Sequence, residues 1–400
     1  MSRIIGIRHR VKKTTEGEAR PTEIAVFADL SLTKPTAYKL EDEMDELDFV
    51  FGRFPVSYRE ASEGENLSQF FSRHIKTKKS KDETGNEITK VSAPVSHDGL
   101  TAGDTVVSIL GGSGRKIIFA LSRRAEQIGA KVLCVPSGLL NKFREQDKEK
   151  DSENVARLFV KQPDLFHEVT IKDRGLIILR EKLDARTDAM KARIACEQRL
   201  LQRMIGNVFC NEDGLYPEGK LEEIFAEEKA NNSIFQALLL EEKAREKELT
   251  ACVSAMDIYK NIFSPIEGCG PMIASRIIAS VGDIRRFEGN IAKFKAYCGV
   301  HLQDGQFARQ RNNEAANWSN EIRQAMYLLG EQFNRRPNSV WGMKFREYKE
   351  KMRNSHPETV GEGGKKKYTP SHIHKMAKWR TLTKFAEYVF KKWNKQQTMV

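Results

Sequence analysis

The apolar residues of this chain change their period partway along, and that change limits the folds open to it. In the first segment, short runs rich in β-branched and aromatic residues recur at 4–11, 23–30, 105–110 and 131–135, the pattern of strands. From 174 to 205 the spacing becomes three, four or seven residues, placing Leu176, Leu179, Leu183, Met190, Ile194, Leu201 and Ile205 on one helical stripe. A second such stretch at 234–256 includes Leu238, Leu249 and Val253. With 400 residues the chain is too long for one ordinary core. The fold class expected is therefore α/β plus α: a mixed-sheet domain over 1–165, a long helical arm over 166–257 and a helical C-terminal domain over 258–400.

Within the first domain, the opening two runs are joined by a polar loop and should form an antiparallel hairpin. The runs at 105–110 and 131–135 flank a glycine-rich turn, 111–114, and a helical stretch, 115–128. A strand–helix–strand unit of this kind requires a parallel pair, so the sheet is mixed. Residues 77–100 are polar and broken by Gly and Pro, and are read as a surface loop insertion. The two long helices suit an antiparallel arm, a coiled-coil dimer interface, or simple packing on their own domain. A final helix at 374–393 has a packing face of Ala377, Leu382, Phe385, Val389 and Phe390, and follows a basic loop.

The chain's net charge of +12 is unevenly placed: from Lys260 onward, 26 Lys and Arg face 12 Asp and Glu. That surplus of 14 belongs to one domain and leaves the remainder slightly acidic, the electrostatic footprint of a polyanion partner or of a solvated basic face. No apolar run approaches the roughly 18 residues that a membrane span needs, and charge stands where a signal peptide is apolar, so a cytoplasmic, nucleoid-associated location is expected. The six cysteines are scattered without a close pair, which argues for reduced, packed thiols over a zinc clasp.

The clearest motif is IEGCGPMIASRIIASVGDIRRF, 266–287. It reads as a helix-hairpin-helix. Gly268 and Gly270 permit a sharp turn and close approach to a phosphate. Pro271 suits the first turn of the following helix, whose free N–H groups face the anion. Arg285, Arg286, Lys293, Lys295, Arg309 and Arg311 are the nearby candidate phosphate contacts, with Arg335, Arg336 and 365–367 beyond them; Tyr297, Trp318 and Trp341 serve either as stacking surfaces or as core.

This hairpin, with Gly282-Asp283, Arg286-Phe287 and Tyr297-x-Gly299 following in order, resembles the C-terminal domain of the DEDD transposases of the insertion-sequence 110 family, relatives of the Piv invertase. The similarity extends upstream through GAKVLCVPSGLLNKF and KEKDSENVARLF, and weakly through FREYKEKM. The resemblance implies a ribonuclease H-like (RuvC-like) N-terminal domain, a helical arm, DNA as partner and a structured guide RNA; the two long helices add the expectation of a homo-oligomer, dimer or tetramer, formed through the arm. The resemblance also implies Mg2+ held by four carboxylates. Of their matched positions, the first falls on Arg8, the second on Ser108, and the last two on Asp151 and Asn154, so Asp151 is the one retained catalytic and metal-binding candidate. The family's nucleophilic serine, counted from Gly299, falls on Phe307; Ser319 reads instead as a helix N-cap. Two readings follow from the resemblance: an insertion-sequence transposase or site-specific recombinase, and a catalytically degenerate descendant that only binds nucleic acid.

Overall fold

The computed structural model describes residues 3–11, 18–62, 64–81, 87–144, 148–214, 218–303, 306–307, 316, 318–360 and 366–398. Its contacts divide the chain into two compact units, Met1–Arg174 and Gly175–Val400.

The first unit opens with β1 (Ile4–Arg8), β2 (Thr22–Phe27) and β3 (Thr36–Leu40), a run of antiparallel neighbours. Helix α1 (Glu43–Val50) is capped by the Asp42 carboxylate, which accepts from the Met44 and Asp45 amides. Then β4 (Phe54–Glu60), β5 (Lys76–Lys81) and β6 (Glu87–Asp98) form a separate antiparallel sheet in the order β4-β6-β5. The chain returns through β7 (Thr105–Ile109), α2 (Arg115–Ile128) and β8 (Lys131–Val135), followed by α3 (Ser137–Phe143), α4 (Asp151–Lys161) and β9 (His167–Glu168). The main sheet runs β3-β2-β1-β7-β8-β9, with β1, β7 and β8 parallel. The mixed sheet, its opening hairpin and the parallel strand–helix–strand unit expected from the sequence are all present.

Side-chain alternation on the central strands supplies two cores. Ile5, Ile7, Val106 and Val132 face Ile117, Ile118 and Leu121 of α2 together with Phe49 and Val50 of α1. Ile4, Val107 and Val135 face Val155, Ala156 and Leu158 of α4. A sheet buried on both faces explains why these strands read as continuous apolar runs.

Residues 77–100 depart from the loop reading. Lys76–Lys81 pairs with Glu87–Asp98, and Glu87–Asp98 pairs in turn with Phe54–Glu60. One side of this small sheet stays in water, so its lysine-rich strands lack the apolar content by which strands are read from sequence. Asp48 ties the adjoining segment down: it accepts from Arg73 Nε at 2.9 Å and faces His74 Nε2 at 2.6 Å. Burial would push the Asp48 carboxyl up, but the Arg73 and His74 contacts hold it below the usual carboxylate range.

Helix α5 (Ile171–Phe209) leads into the second unit, where α6 (Leu221–Asn231) and α7 (Ser233–Ala255) follow. Lys182–Glu248, Arg186–Glu242 and Lys229–Glu197 ion pairs step in opposite directions along α5 and the α6–α7 segment, as in an antiparallel pair. Leu179 and Leu183 meet Leu249 and Val253 in the unit's core. The expected stripe fails beyond them: Ile194 is 39% exposed, and Leu200 and Met204 take the buried positions in place of Leu201 and Ile205. Glu242, buried between Arg186 and Arg193, makes the middle of the seam ionic, which breaks the apolar repeat.

The unit is completed by α8 (Pro271–Val281), α9 (Ile291–Tyr297), short paired strands β10 (Leu302–Gln303) and β11 (Gln306–Phe307), α10 (Asn320–Arg335), α11 (Val340–Ser355), the β12 (Thr359–Val360) and β13 (Lys366–Lys367) pair, and α12 (Pro370–Thr398). Helix α8 is central, with Ala274, Ile277 and Ile278 fully buried and α7 and α10 packed against it. Among the described residues, no helix is long and apolar enough to cross a membrane.

Candidate nucleic-acid interface and strand-end centre

In the second unit the hairpin is built by a π-helical turn, Tyr259–Phe263, then a tight turn into α8. Gly268 has φ +89°, a left-handed conformation, and a Cβ there would lie 2.8 Å from Gln332 Cβ, so only glycine fits. Cys269 turns inward and burial pushes its thiol up to about 12, the behaviour of a packing residue. Gly270 stays exposed with φ −69°. Its carbonyl accepts from the Ile273 and Ala274 amides, while the Gly270 and Met272 amides have no backbone partner among the described residues. The turn therefore presents amide donors without backbone partners among the described residues, at the start of an 11-residue helix that buries Ala274, Ser275 and Ile277–Val281.

The cations predicted around this turn are largely engaged within the chain. Arg285 Nε donates to Asp283 at 2.8 Å, Lys293 pairs with Glu288 at 3.0 Å, and Lys295 pairs with Glu387 at 3.3 Å. Arg286 lies over the Tyr297 and Phe287 rings, 4.7 and 5.4 Å from their centroids. Arg309, Arg311 and Lys365 lie outside the described residues. Trp341 is core, stacked on Phe333. Tyr297 donates its hydroxyl to the Ser280 carbonyl, and Trp318 covers the Arg323 guanidinium at 4.3 Å. Phe307 faces Trp379, and Ser319 caps α10 by accepting from the Ile322 amide.

In the first unit the four positions matched to metal ligands gather where β1 and β7 end and α4 begins. Gly6 brings the elements together: a Cβ on it would lie 1.9 Å from the Ser152 carbonyl oxygen. Arg8 Nη1 donates to Glu23 at 2.7 Å and to the Glu149 carbonyl at 3.1 Å. Arg144 Nη1 donates to Asp151 at 2.6 Å. Ser108 Oγ donates to the Ile7 carbonyl at 3.3 Å and lies 2.8 Å from His9 Nε2, which also lies 2.9 Å from the Ile109 carbonyl. Asn154 is on the first turn of α4. Burial lowers the His9 pKa, with the Ile109 carbonyl pulling the other way.

These side chains do not suit Mg2+. A divalent cation needs oxygen donors carrying compensating charge, yet a guanidinium occupies one matched position and a second guanidinium already neutralises Asp151. Among the described residues no group of three His, Cys, Asp or Glu is placed to hold a metal ion. His9 and Arg144 were not singled out by sequence reasoning. Both sit within seven residues of a matched position, and their roles depend on strand ends distant in sequence meeting one helix start.

Residues 260–341 match the family model described as Transposase IS116/IS110/IS902 family. No curated protein matches the chain.

Proposed function

We propose that this chain, whose residues 260–341 match the family model described as Transposase IS116/IS110/IS902 family, is a transposase of that kind and binds DNA for movement of an insertion sequence, with the turn at 268–271 laid against a phosphate backbone. The observation that carries this reading is the exposed Gly270, where two amides lack backbone partners among the described residues at the start of a helix. Contacts of this type position a duplex without reading its sequence. The surplus of cations after Lys260 supplies long-range attraction. A structured guide RNA, implied by the resemblance, is a second polyanion for the same unit, and assembly into a dimer or tetramer runs through the α5–α7 arm. The order of the main sheet, with helices on both faces, agrees with a ribonuclease H-like (RuvC-like) domain, and the turn into α8 agrees with a helix-hairpin-helix.

A second reading, nucleic-acid binding without strand cleavage, has its own support in the Arg8–Glu23 and Arg144–Asp151 pairs. Fluorescence anisotropy of the full chain on duplex DNA and RNA, across a salt series, tests the shared premise. Strand-transfer assays with Mg2+ on element ends then separate the two. Product that is lost in Asp151→Ala supports the transposase reading, and binding without product supports the second. Failure to bind either polymer at low ionic strength sinks both.

A further inference from the structure

The cations flanking the hairpin are mostly engaged inside the chain, and positive charge without a carboxylate partner among the described residues stands elsewhere in the second unit. It lies outside the 260–341 segment, on α11. Arg346, Lys349 and Arg353 are spaced by three and four residues and so share one helix face. Together with Glu350, Pro370 and Ile373 they line a cavity of about 510 Å3 between α11 and the start of α12. Neighbouring cations are paired: Lys351 with Glu347, Lys366 with Glu358, Lys378 with Glu331. Arg346 and Lys349 have no carboxylate partner among the described residues, and Arg353 donates only to a neutral group, the Tyr368 carbonyl, at 3.0 Å. One acid, Glu350, stands against three cations in this concavity.

That same carbonyl leads to a second feature. Tyr368 is a non-glycine residue at φ 54°. Its ring stacks on His372 with centroids 5.5 Å apart and planes at 11°, and His356 lies 4.8 Å away on its ring. A left-handed tyrosine is costly, and such strain persists where the surroundings hold it and often where a ligand binds. His372 is exposed, so this aromatic group ends in an accessible ring beside the cation row. A positive groove joined to an accessible aromatic face is the combination that holds unpaired nucleotides, with phosphates on the cations and a base on the ring. A duplex keeps its bases stacked and has no use for the ring.

We propose that the α11–α12 groove binds a single strand of nucleic acid, with its phosphates on Arg346, Lys349 and Arg353 and a base on His372. The proposal rests on the reading that this chain binds nucleic acid and adds the strand class and the residues.

The test uses the full chain, a labelled oligothymidylate and a labelled duplex, read by anisotropy over a salt series. Arg346→Ala/Lys349→Ala keeps the Arg353–Tyr368 bond and removes two exposed side chains. It should weaken single-strand binding roughly tenfold and lower the slope of log affinity against log salt by about 1.4. His372→Ala should weaken single-strand binding by about fivefold or more and leave duplex affinity unchanged. Tryptophan fluorescence confirms folding, since Trp318, Trp341, Trp379 and Trp393 all lie in this unit. If the unaltered chain binds and the double variant matches it in affinity and slope, the groove is not the site and nucleic-acid binding itself stands. Equal losses on strand and duplex, or competition by polyglutamate as strong as by unlabelled oligothymidylate, would show a groove that reads charge alone and would overturn the single-strand assignment. No binding by the unaltered chain would overturn both.

Discussion

Gly6 on β1 and Ser152 on α4 are in backbone contact, with room for nothing larger than hydrogen: a Cβ on Gly6 would stand 1.9 Å from the Ser152 carbonyl oxygen and 3.3 Å from Ala156 Cβ. The two nearest obstructing atoms, the Ser152 carbonyl oxygen and carbon at 1.9 and 3.0 Å, are backbone, so no side-chain rotation relieves the clash. Gly6→Ala should force α4 off the sheet and destabilise the first unit by about 3 kcal/mol, the upper range of overpacking. Hydrogen exchange of the β1 and β7 amides measures this, and protection equal to the unaltered chain would disprove the contact.

The same approach delivers Asp151 to Arg144. Their side chains are each 14% exposed, and Asp151 Oδ1 has no hydrogen-bond partner among the described residues. Arg144→Met would leave a nearly buried carboxylate with neither oxygen bonded, for a loss of about 2 kcal/mol. Asp151→Asn, which keeps an acceptor for Arg144, should cost about half as much. Chemical denaturation monitored by exchange in α4 ranks the two variants. A chain indifferent to Arg144→Met would mean that the pair does not anchor the helix start.

Much of this architecture was legible in the sequence, for reasons that also explain what was not. The main-sheet strands are buried on both faces and announce themselves as apolar runs, and Ala377, Leu382, Phe385, Val389 and Phe390 of α12 are all in the core as their spacing implies. The sheet containing Lys76–Lys81 looks like loop in the sequence because strand pairing there rests on backbone bonds between polar residues. The helical stripe of α5 was misplaced past Leu183 because Glu242 replaces apolar contact with ion pairs. Motif spacing points to Gly268, Gly270 and Asp151 as candidates. It gave no access to which cations are already paired, since Lys295 meets Glu387 from 92 residues away. The Arg346, Lys349 and Arg353 row was in plain sequence and gained meaning only when nearby acids proved to be engaged with other residues.

His9 gives the first unit a pH dependence of definite sign. Burial lowers its pKa, so the folded chain holds a neutral ring while the unfolded chain takes up a proton near the ordinary value of about 6.5. Stability is therefore full above that value and declines as pH falls through it toward the lowered folded pKa, by at most about 1.4 kcal/mol per pH unit. Asp48 and Asp98, whose folded pKa values are depressed, withdraw their contributions only at lower pH, below the ordinary carboxylate value of about 4. His9→Gln should flatten the decline between about pH 7 and 5 and leave the acid limb intact. Exchange of β1 and β7 amides follows the first unit alone, which matters because His301 and His374 in the second unit are also lowered. An unaltered slope in His9→Gln would assign the dependence to another group.

The two hairpin glycines separate folding from binding. Gly268 sits at φ +89° with Gln332 Cβ 2.8 Å from where its own Cβ would be. Gly268→Ala should destabilise the second unit by about 2 kcal/mol, from backbone strain and the clash together. Gly270 has φ −69° and open space around it, so Gly270→Ala loses only the modest N-cap preference of glycine over alanine, below about 1 kcal/mol. Its effect on DNA should be larger than its effect on folding. A methyl group at Gly270 stands between a phosphate and the free amides, and losing one charge-assisted hydrogen bond weakens affinity roughly tenfold. Tryptophan-monitored unfolding and duplex anisotropy, run on both variants, give the comparison. If Gly270→Ala binds duplex as the unaltered chain does, no phosphate approaches that backbone, and the cation surplus that follows Lys260 must meet its polyanion on another face.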